Sequence, residues 1–492
     1  MAAASLERTD YHLFINGKTV PSVSGETYEA HNPATNEPLA RVARGGAEDA
    51  EHAVASARAA LGGKWARFAP LARSRALFKL AALMRDRFND LARLETLNNG
   101  KAITSTKLEV NQAIEDFELY AGAIGELAGA TIPAPKGFLA YTLREPVGVC
   151  ALIVPWNYPL MLTAWKLAPA LAAGNTVVLK PASLTPLTAL VLGELTLEAG
   201  IPEGVVNVVT GAGGVVGDYL VAHPQVNKVS FTGETTTGQR VMQHAAGTIK
   251  RLTLELGGKS PNVIFADADL DEAVPAAVWS IYYSAGQSCE ARSRVLIEAS
   301  VYDEVVSRFI EKTQALKVGD PLDESTHVGA LISPGHLERV DGYVKAGIKE
   351  GARIACGGSS LPGAGNFYAP TALDGVGPKM HVAQEEIFGP VAVFQRFDTE
   401  DEAVTLANDS RYGLAASVWT KDLRRAHRVA AALQAGTIGL NTPFTTMPGM
   451  PFGGYKQSGF GREHALETLR AYTETKNVLI YHGTRPINPF GV

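Results

Sequence analysis

Between residues 147 and 258 the chain repeats one pattern, a short apolar run rich in β-branched residues followed by a longer segment of helical periodicity. VGVCALIV, TVVLKP, VVNVVTG, VNKVSFTG and KRLTLELGG read as strands. Residues 160–173, 186–199, 214–222 and 235–246 read as the helices between them. This alternation predicts a parallel sheet with crossover helices. Doubly wound sheets bind ligands outside the carboxyl ends of their strands, where helix N-termini point at anions. The layout is that of a dinucleotide-binding domain.

A second alternation follows, with VLIEA, ARIACGG, VAVFQRF, LAASVWT and GTIGLN as strands and helical stretches at 301–316 and 421–434. Upstream, HLFINGKTVPS reads as a hairpin, and three helical segments follow near 47–61, 71–88 and 107–127. A chain of 492 residues holds about three domains or subdomains. The expected fold is α/β. A Rossmann-like doubly wound cofactor domain takes 1–128 and 146–257, and a second α/β catalytic domain takes 258–461. A small β oligomerisation arm and tail take 129–145 and 462–492. The strand-like pieces 129–145 and 472–481 have no obvious partner in either sheet, and such edges often pair with another subunit. A homodimer or homotetramer is expected.

Hydrophobic residues make up 46 % of the chain and charged residues 19 %, with a net charge of −5 and no basic run. A nucleic-acid groove needs a concentrated positive face, so no nucleic-acid partner is expected. No apolar stretch is long enough to span a bilayer, and the N-terminus lacks a signal-peptide core. The expectation is a cytoplasmic protein without membrane attachment. Cys150, Cys289 and Cys356 form no CxxC pair, and the histidines show no metal-ligand spacing. Neither a disulfide scaffold nor a bound metal is expected.

Six segments carry chemistry: PWNYP (155–159), LKPAS (179–183), LELGGKSP (254–261), AGQSCEARSR (285–294), QEEIFGPV (384–391) and PFGGYKQSGFGRE (451–463). In this order and at these separations they resemble the aldehyde dehydrogenase superfamily over essentially the whole chain. The resemblance implies oxidation of an aldehyde to a carboxylic acid with a nicotinamide cofactor. Cys289 takes the nucleophile's place, since a thiolate adds readily to a carbonyl. Glu255 takes that of the general base for the water that hydrolyses the thioester. Asn157, with the Cys289 backbone N–H, takes that of the oxyanion donor. The glutamate also separates this chain from relatives that pass the acyl group to coenzyme A.

For the cofactor, the resemblance places Lys180 at the adenosine ribose or its phosphate, and Trp156 falls in the same set. Many NAD-preferring relatives carry a glutamate where this chain has Ser183. Without that carboxylate a 2′-phosphate meets less repulsion, so NADP is expected to be accepted and favoured, with NAD as the alternative. Gly233 and Gly238 bracket a strand-to-helix turn at the pyrophosphate. GAGGVVG differs in glycine spacing and reads as a turn, while Glu234 departs from the serine of many relatives. Glu386 and Phe388 match residues at the nicotinamide ribose and ring. Glu463 is either a proton-handling carboxylate or a structural one.

Tyr158, Trp165, Tyr283, Phe444 and Phe452 are candidate walls for a small aldehyde. Glu290 either faces that pocket, favouring a cationic aldehyde, or turns to Arg292 or Arg294 as a local ion pair. The competing readings are a semialdehyde- or aminoaldehyde-specific member, a non-catalytic relative, and an acyl-transfer enzyme that uses Cys289 without nicotinamide.

Overall fold

The strand segments of the first alternation form the middle of an eight-stranded sheet. In spatial order its strands are Gly459–Phe460, Arg251–Glu255, Lys228–Thr232, Val149–Ile153, Thr176–Lys180, Val206–Val208, Leu13–Ile15 and Lys18–Val20. The central five run parallel. Every residue of Val149–Ile153, Thr176–Lys180 and Lys228–Thr232 is buried, which is why these strands lack the polar alternation of a half-exposed one. From Val149–Ile153 the chain adds strands outward on one side, then returns to add Lys228–Thr232 and Arg251–Glu255 on the other. Strand order therefore reverses between Val149–Ile153 and Lys228–Thr232, and a crevice opens at their carboxyl ends. The computed structural model describes residues 7–444, 446–484 and 490, so the predicted tail 462–492 lies partly outside the described residues.

The helix Pro159–Ala172 is buried all round. It lies between the sheet and the helices Ile103–Gly122 and Pro70–Asp86. The N-terminal region holds one helix more than its periodicity suggests: Phe88–Asn99 follows Pro70–Asp86 after a single residue. Arg87, at φ −110° and ψ 21°, breaks the helical path between them. The expected hairpin forms at Leu13–Ile15 and Lys18–Val20, and it extends the edge of the large sheet through Val206–Val208. GAGGVVG forms a single π-helical turn, Gly213–Gly217, leading into the short helix Asp218–Ala222.

The second sheet runs Arg353–Cys356, Thr371–Asp374, Val391–Phe397, Arg294–Glu298, Pro261–Ile264, Ala415–Trp419 and Thr437–Leu440. Only Arg353–Cys356 is antiparallel to its neighbour. The segments without an obvious partner find each other. Thr473–Tyr481 pairs antiparallel with Phe138–Pro146 along its whole length, and Thr131–Ile132 adds on the far edge. The register puts Leu139, Leu143 and Ile480 on one face, and all three are exposed. Among the described residues no helix is long and apolar enough to cross a membrane.

Candidate active site

The crevice at the strand reversal holds a hollow of about 170 Å³. One strand end supplies Pro155, Trp156 and Asn157, and the other supplies Thr232, Gly233 and Glu234. Cys289, His336, Arg339, Glu386 and Phe388 close it from the second sheet's side. The helix Thr235–Ala245 begins directly at this edge, so its free backbone N–H groups face the crevice. Gly238 does not line the hollow; a Cβ there would stand 2.6 Å from the Leu256 side chain, so its smallness presses the helix onto the neighbouring segment. Glu234 turns toward Arg339, 3.9 Å away.

Cys289 follows a strained approach. Ser284, Ala285 and Gly286 all adopt left-handed backbone, at φ 55°, 55° and 71°. Two non-glycine residues held there in succession need firm surroundings. Those surroundings are present: a Cβ on Gly286 would lie 2.1 Å from the Gly389 carbonyl oxygen. Gln287 is buried, and its Oε1 accepts from the Ile332 N–H at 2.9 Å. Asn157 is buried beside this loop and donates from Nδ2 to the Gln287 carbonyl at 3.0 Å. On the other flank, a Cβ on Gly258 would meet the Cys289 carbonyl oxygen at 2.2 Å, so Gly258 lets the two segments touch.

A second hollow, of about 430 Å³, lies beyond the thiol. Tyr158, Trp165, Tyr283, Glu290, Phe444 and Phe452 all line it. Trp165 and Phe452 meet edge to face at 5.2 Å, and Tyr158 stacks near Tyr283 at 6.5 Å. Glu290 does both things expected of it. It faces the hollow, and its Oε2 lies 3.2 Å from the buried Arg292 guanidinium. Cys289 is the one residue common to the linings of the two hollows. Burial pushes its thiol well above the ordinary range, with the Glu290, Glu386 and Glu255 carboxylates adding to the effect.

Glu255 ends the strand Arg251–Glu255 and is buried, with no hydrogen-bond partner at either carboxylate oxygen. Burial pushes its carboxyl well up, Glu463 adds to this, and Lys166 and Arg462 oppose it. Glu463 is differently placed. Its oxygens accept from Lys166 Nζ at 2.6 and 2.7 Å and from Ser230 Oγ at 2.7 Å, and it lines neither hollow. It is a satisfied partner in a buried ion pair, whereas Glu255 is buried with no bond to lose.

The sequence model of the aldehyde dehydrogenase family matches residues 20–478. The chain belongs to this family. It is 46 % identical over 470 residues to DhaS of Bacillus subtilis (strain 168), provisionally named an aldehyde dehydrogenase, covering 95 % of each chain. It is 42 % identical over 479 residues to the cytosolic 10-formyltetrahydrofolate dehydrogenase of Xenopus tropicalis, covering 96 % of this chain but only 53 % of that protein. Among solved structures it superposes on the NAD+ complex of the Bacillus cereus aldehyde dehydrogenase with a TM-score of 0.95 and 43 % identity, covering 97 % of this chain and 98 % of that one. Betaine aldehyde dehydrogenase from Staphylococcus aureus in complex with NAD+ gives a TM-score of 0.96 at 38 % identity, covering 99 % and 98 %.

In this aldehyde dehydrogenase one end of the first hollow is built by aromatic rings that meet edge to face. Trp156 meets Phe388 edge to face at 5.2 Å and His336 at 5.4 Å. Phe388 sits in left-handed backbone at φ 59°, and its carbonyl accepts from the His336 Nε2–H at 2.7 Å. Glu386 accepts from the Gly258 N–H at 3.0 Å, and burial pushes its carboxyl up to about 7. Lys180, which ends the strand Thr176–Lys180, and Ser183 just beyond it do not line this hollow. Lys180 donates to the Pro181 carbonyl at 3.0 Å, and burial lowers its ammonium to about 8. Ser183 Oγ donates to the Gly211 carbonyl at 2.8 Å.

Sequence reasoning missed the support beneath Asn157. Lys101 is buried, pairs with the buried Glu109, donates to the Asn157 carbonyl at 2.7 Å, and lies 4.4 Å from the Tyr158 ring centroid. The Tyr283 hydroxyl donates to Glu109 at 3.3 Å. Burial holds the Glu109 carboxyl up to about 7. One internal ion pair thus touches the backbone of Asn157 and both tyrosines of the aldehyde wall. His336 and Arg339 were missed as well, because a polar helix start gives no sign of which hollow it faces.

Proposed function

We propose that this enzyme oxidises an aldehyde to the carboxylic acid, with Cys289 as nucleophile, Glu255 as general base and Asn157 as oxyanion donor. The observation that carries the reading is that one residue, Cys289, lines both hollows. A carbonyl in the aromatic hollow and a hydride acceptor in the crevice then meet at the same atom. The crevice fits a nicotinamide dinucleotide: it lies at the strand reversal, at the start of the helix Thr235–Ala245, with the half-buried Glu386 carboxylate in its lining. When bound, the nicotinamide accepts the hydride. Cys289, its proton given up to solvent, adds to the carbonyl carbon as the thiolate, and the Asn157 amide and the Cys289 N–H stabilise the oxygen that gains charge. Loss of hydride from that carbon leaves a thioester on Cys289. Glu255 then takes a proton from water, the hydroxide adds, and the C–S bond breaks to release the acid and the thiol.

The cofactor is NADP or NAD, with NADP favoured. Ser183 supports this, because its short hydroxyl, bonded to the Gly211 carbonyl, brings no negative charge to the loop that follows the strand Thr176–Lys180. Turnover with NADP at least equal to that with NAD is expected in side-by-side initial rates. Ser183→Glu is expected to lower kcat/KM for NADP by about tenfold or more, since one unfavourable charge contact readily costs about 1.4 kcal/mol. Turnover of the unaltered enzyme with NAD alone would overturn the NADP preference.

Glu290 shares the aldehyde hollow but brings Arg292 with it, and a paired carboxylate offers a cationic aldehyde little. A panel of neutral, amino and carboxylated aldehydes separates the general reading from the semialdehyde and aminoaldehyde ones. The reading includes a division into a cofactor domain (1–128, 146–257), a catalytic domain (258–461) and an arm with tail (129–145, 462–492). Assembly into a homodimer or homotetramer through the arm follows from the exposed face of Leu139, Leu143 and Ile480. Leu143→Asp is expected to lower the mass measured by light scattering; an unchanged oligomer, or a monomer before substitution, would sink that part. A cytoplasmic setting suits a protein with three free cysteines and a nucleophile that must stay reduced.

A further inference from the structure

The wall of the aldehyde hollow contains a polar arrangement that the chemistry above leaves unused. Thr446 lines this hollow, and its Oγ1 lies 2.6 Å from His464 Nδ1. On the other side of the imidazole, Nε2 lies 3.1 Å from Asp116 Oδ1, within ion-pair distance though not aligned as a hydrogen bond. The side chains of His464 and Asp116 are completely enclosed. The imidazole stacks on Trp165, another wall residue, with ring centroids 4.3 Å apart and planes 11° from parallel. His464 is also held in left-handed backbone at φ 63°, and its carbonyl accepts from the Gly449 N–H at 3.1 Å. Three separate segments therefore converge to hold one hydroxyl at the cavity wall.

Enclosing a carboxylate and an imidazole is costly, and an apolar side chain would fill the same space more cheaply if the wall only needed shape. The protons dictate what the hydroxyl can do. A carboxylate accepts, so the neutral ring that matches Asp116 carries its proton on Nε2. Nδ1 is then an acceptor, and Thr446 donates its O–H to it. The lone pairs of Thr446 Oγ1 are left for the hollow. Met161, Leu162 and Phe452 of the same lining are apolar, and the polar Asn111 donates at 2.6 Å to Glu115, which lines the hollow with Gln112.

We propose that Thr446, held by His464 and Asp116, determines specificity by accepting a hydrogen bond from a neutral donor, a hydroxyl or N–H, at the end of the substrate remote from its carbonyl. The preferred aldehyde has an apolar body that fills the aromatic wall and a polar group at its far end. This inference rests on the reading that the aldehyde occupies the hollow with its carbonyl at Cys289.

The test uses the full-length enzyme, with saturating cofactor, on unbranched alkanals of graded length and their ω-hydroxy counterparts. At one chain length, kcat/KM for the hydroxyaldehyde is expected to exceed that for the alkanal by about tenfold, a typical gain for one buried hydrogen bond. Thr446→Val is expected to bring that ratio near one, mainly through KM of the hydroxyaldehyde, and Thr446→Ser to keep it. His464→Leu should lower the ratio in the same way, and if that variant does not fold the two Thr446 variants decide. A ratio near one at every length, or a ratio that Thr446→Val leaves unchanged, overturns the proposal. Failure to oxidise even the plain alkanals would overturn the underlying reading, and is distinguishable because it removes both rates rather than their ratio.

Discussion

Cys289→Ala is expected to abolish aldehyde oxidation, lowering kcat by about 10⁴-fold or more, the loss typical of removing a nucleophile that acts as part of a unit. No other thiol can take over. Cys150 and Cys356 are buried, one in the first sheet and one in the second, and neither lines either hollow. Binding of the nicotinamide cofactor should survive, because its crevice is otherwise lined by residues that the substitution leaves in place. Quenching of tryptophan fluorescence on cofactor titration would show this, since Trp156 lines the crevice. A variant that retained turnover within about tenfold of the original would refute the covalent route.

Glu255→Gln is expected to slow steady-state turnover by about 10²–10⁴-fold, the usual contribution of a positioned base. The loss should appear after the first chemical turnover: mixing enzyme, cofactor and aldehyde gives up to one equivalent of reduced nicotinamide per site, then near arrest as the thioester accumulates. Glu255 also sets a pH dependence. Its carboxyl is pushed up by burial and then by Glu463, and it works as a base only when ionised. Activity is therefore expected to fall as pH drops through that raised value, at a higher pH than an ordinary carboxylate would give. In Glu255→Gln this limb of the profile should disappear. An unchanged acid limb would assign it to another group.

The central parallel strands were legible because burial on both faces makes them predominantly apolar or β-branched, as at Val149–Ile153 and Thr176–Lys180. Pro261–Ile264 and Thr371–Asp374 were not, because Pro and Asn open the first and Asp closes the second, which leaves only two adjacent apolar residues in each. Pairing of Phe138–Pro146 with Thr473–Tyr481 was invisible, since nothing local records a partner at the other end of the chain. The nucleophile loop was readable from its motif, but the position of its sulfur between two hollows was not. Lys101, Glu109 and Asp116 show the same limit. On a helix pattern a charged residue reads as a solvated face, and only the packing of Pro159–Ala172 against Ile103–Gly122 turns that face inward.

Reactants that share an entrance must queue, and whatever reshapes the opening for one disturbs the other. In the proposed reading aldehyde and cofactor take separate rooms, whose walls share a single residue among those described. Phe444 or Thr446 can therefore be exchanged to admit a different aldehyde without moving Trp156 or Phe388. One half of the machine can drift toward new substrates while the half that stores the electrons stays fixed.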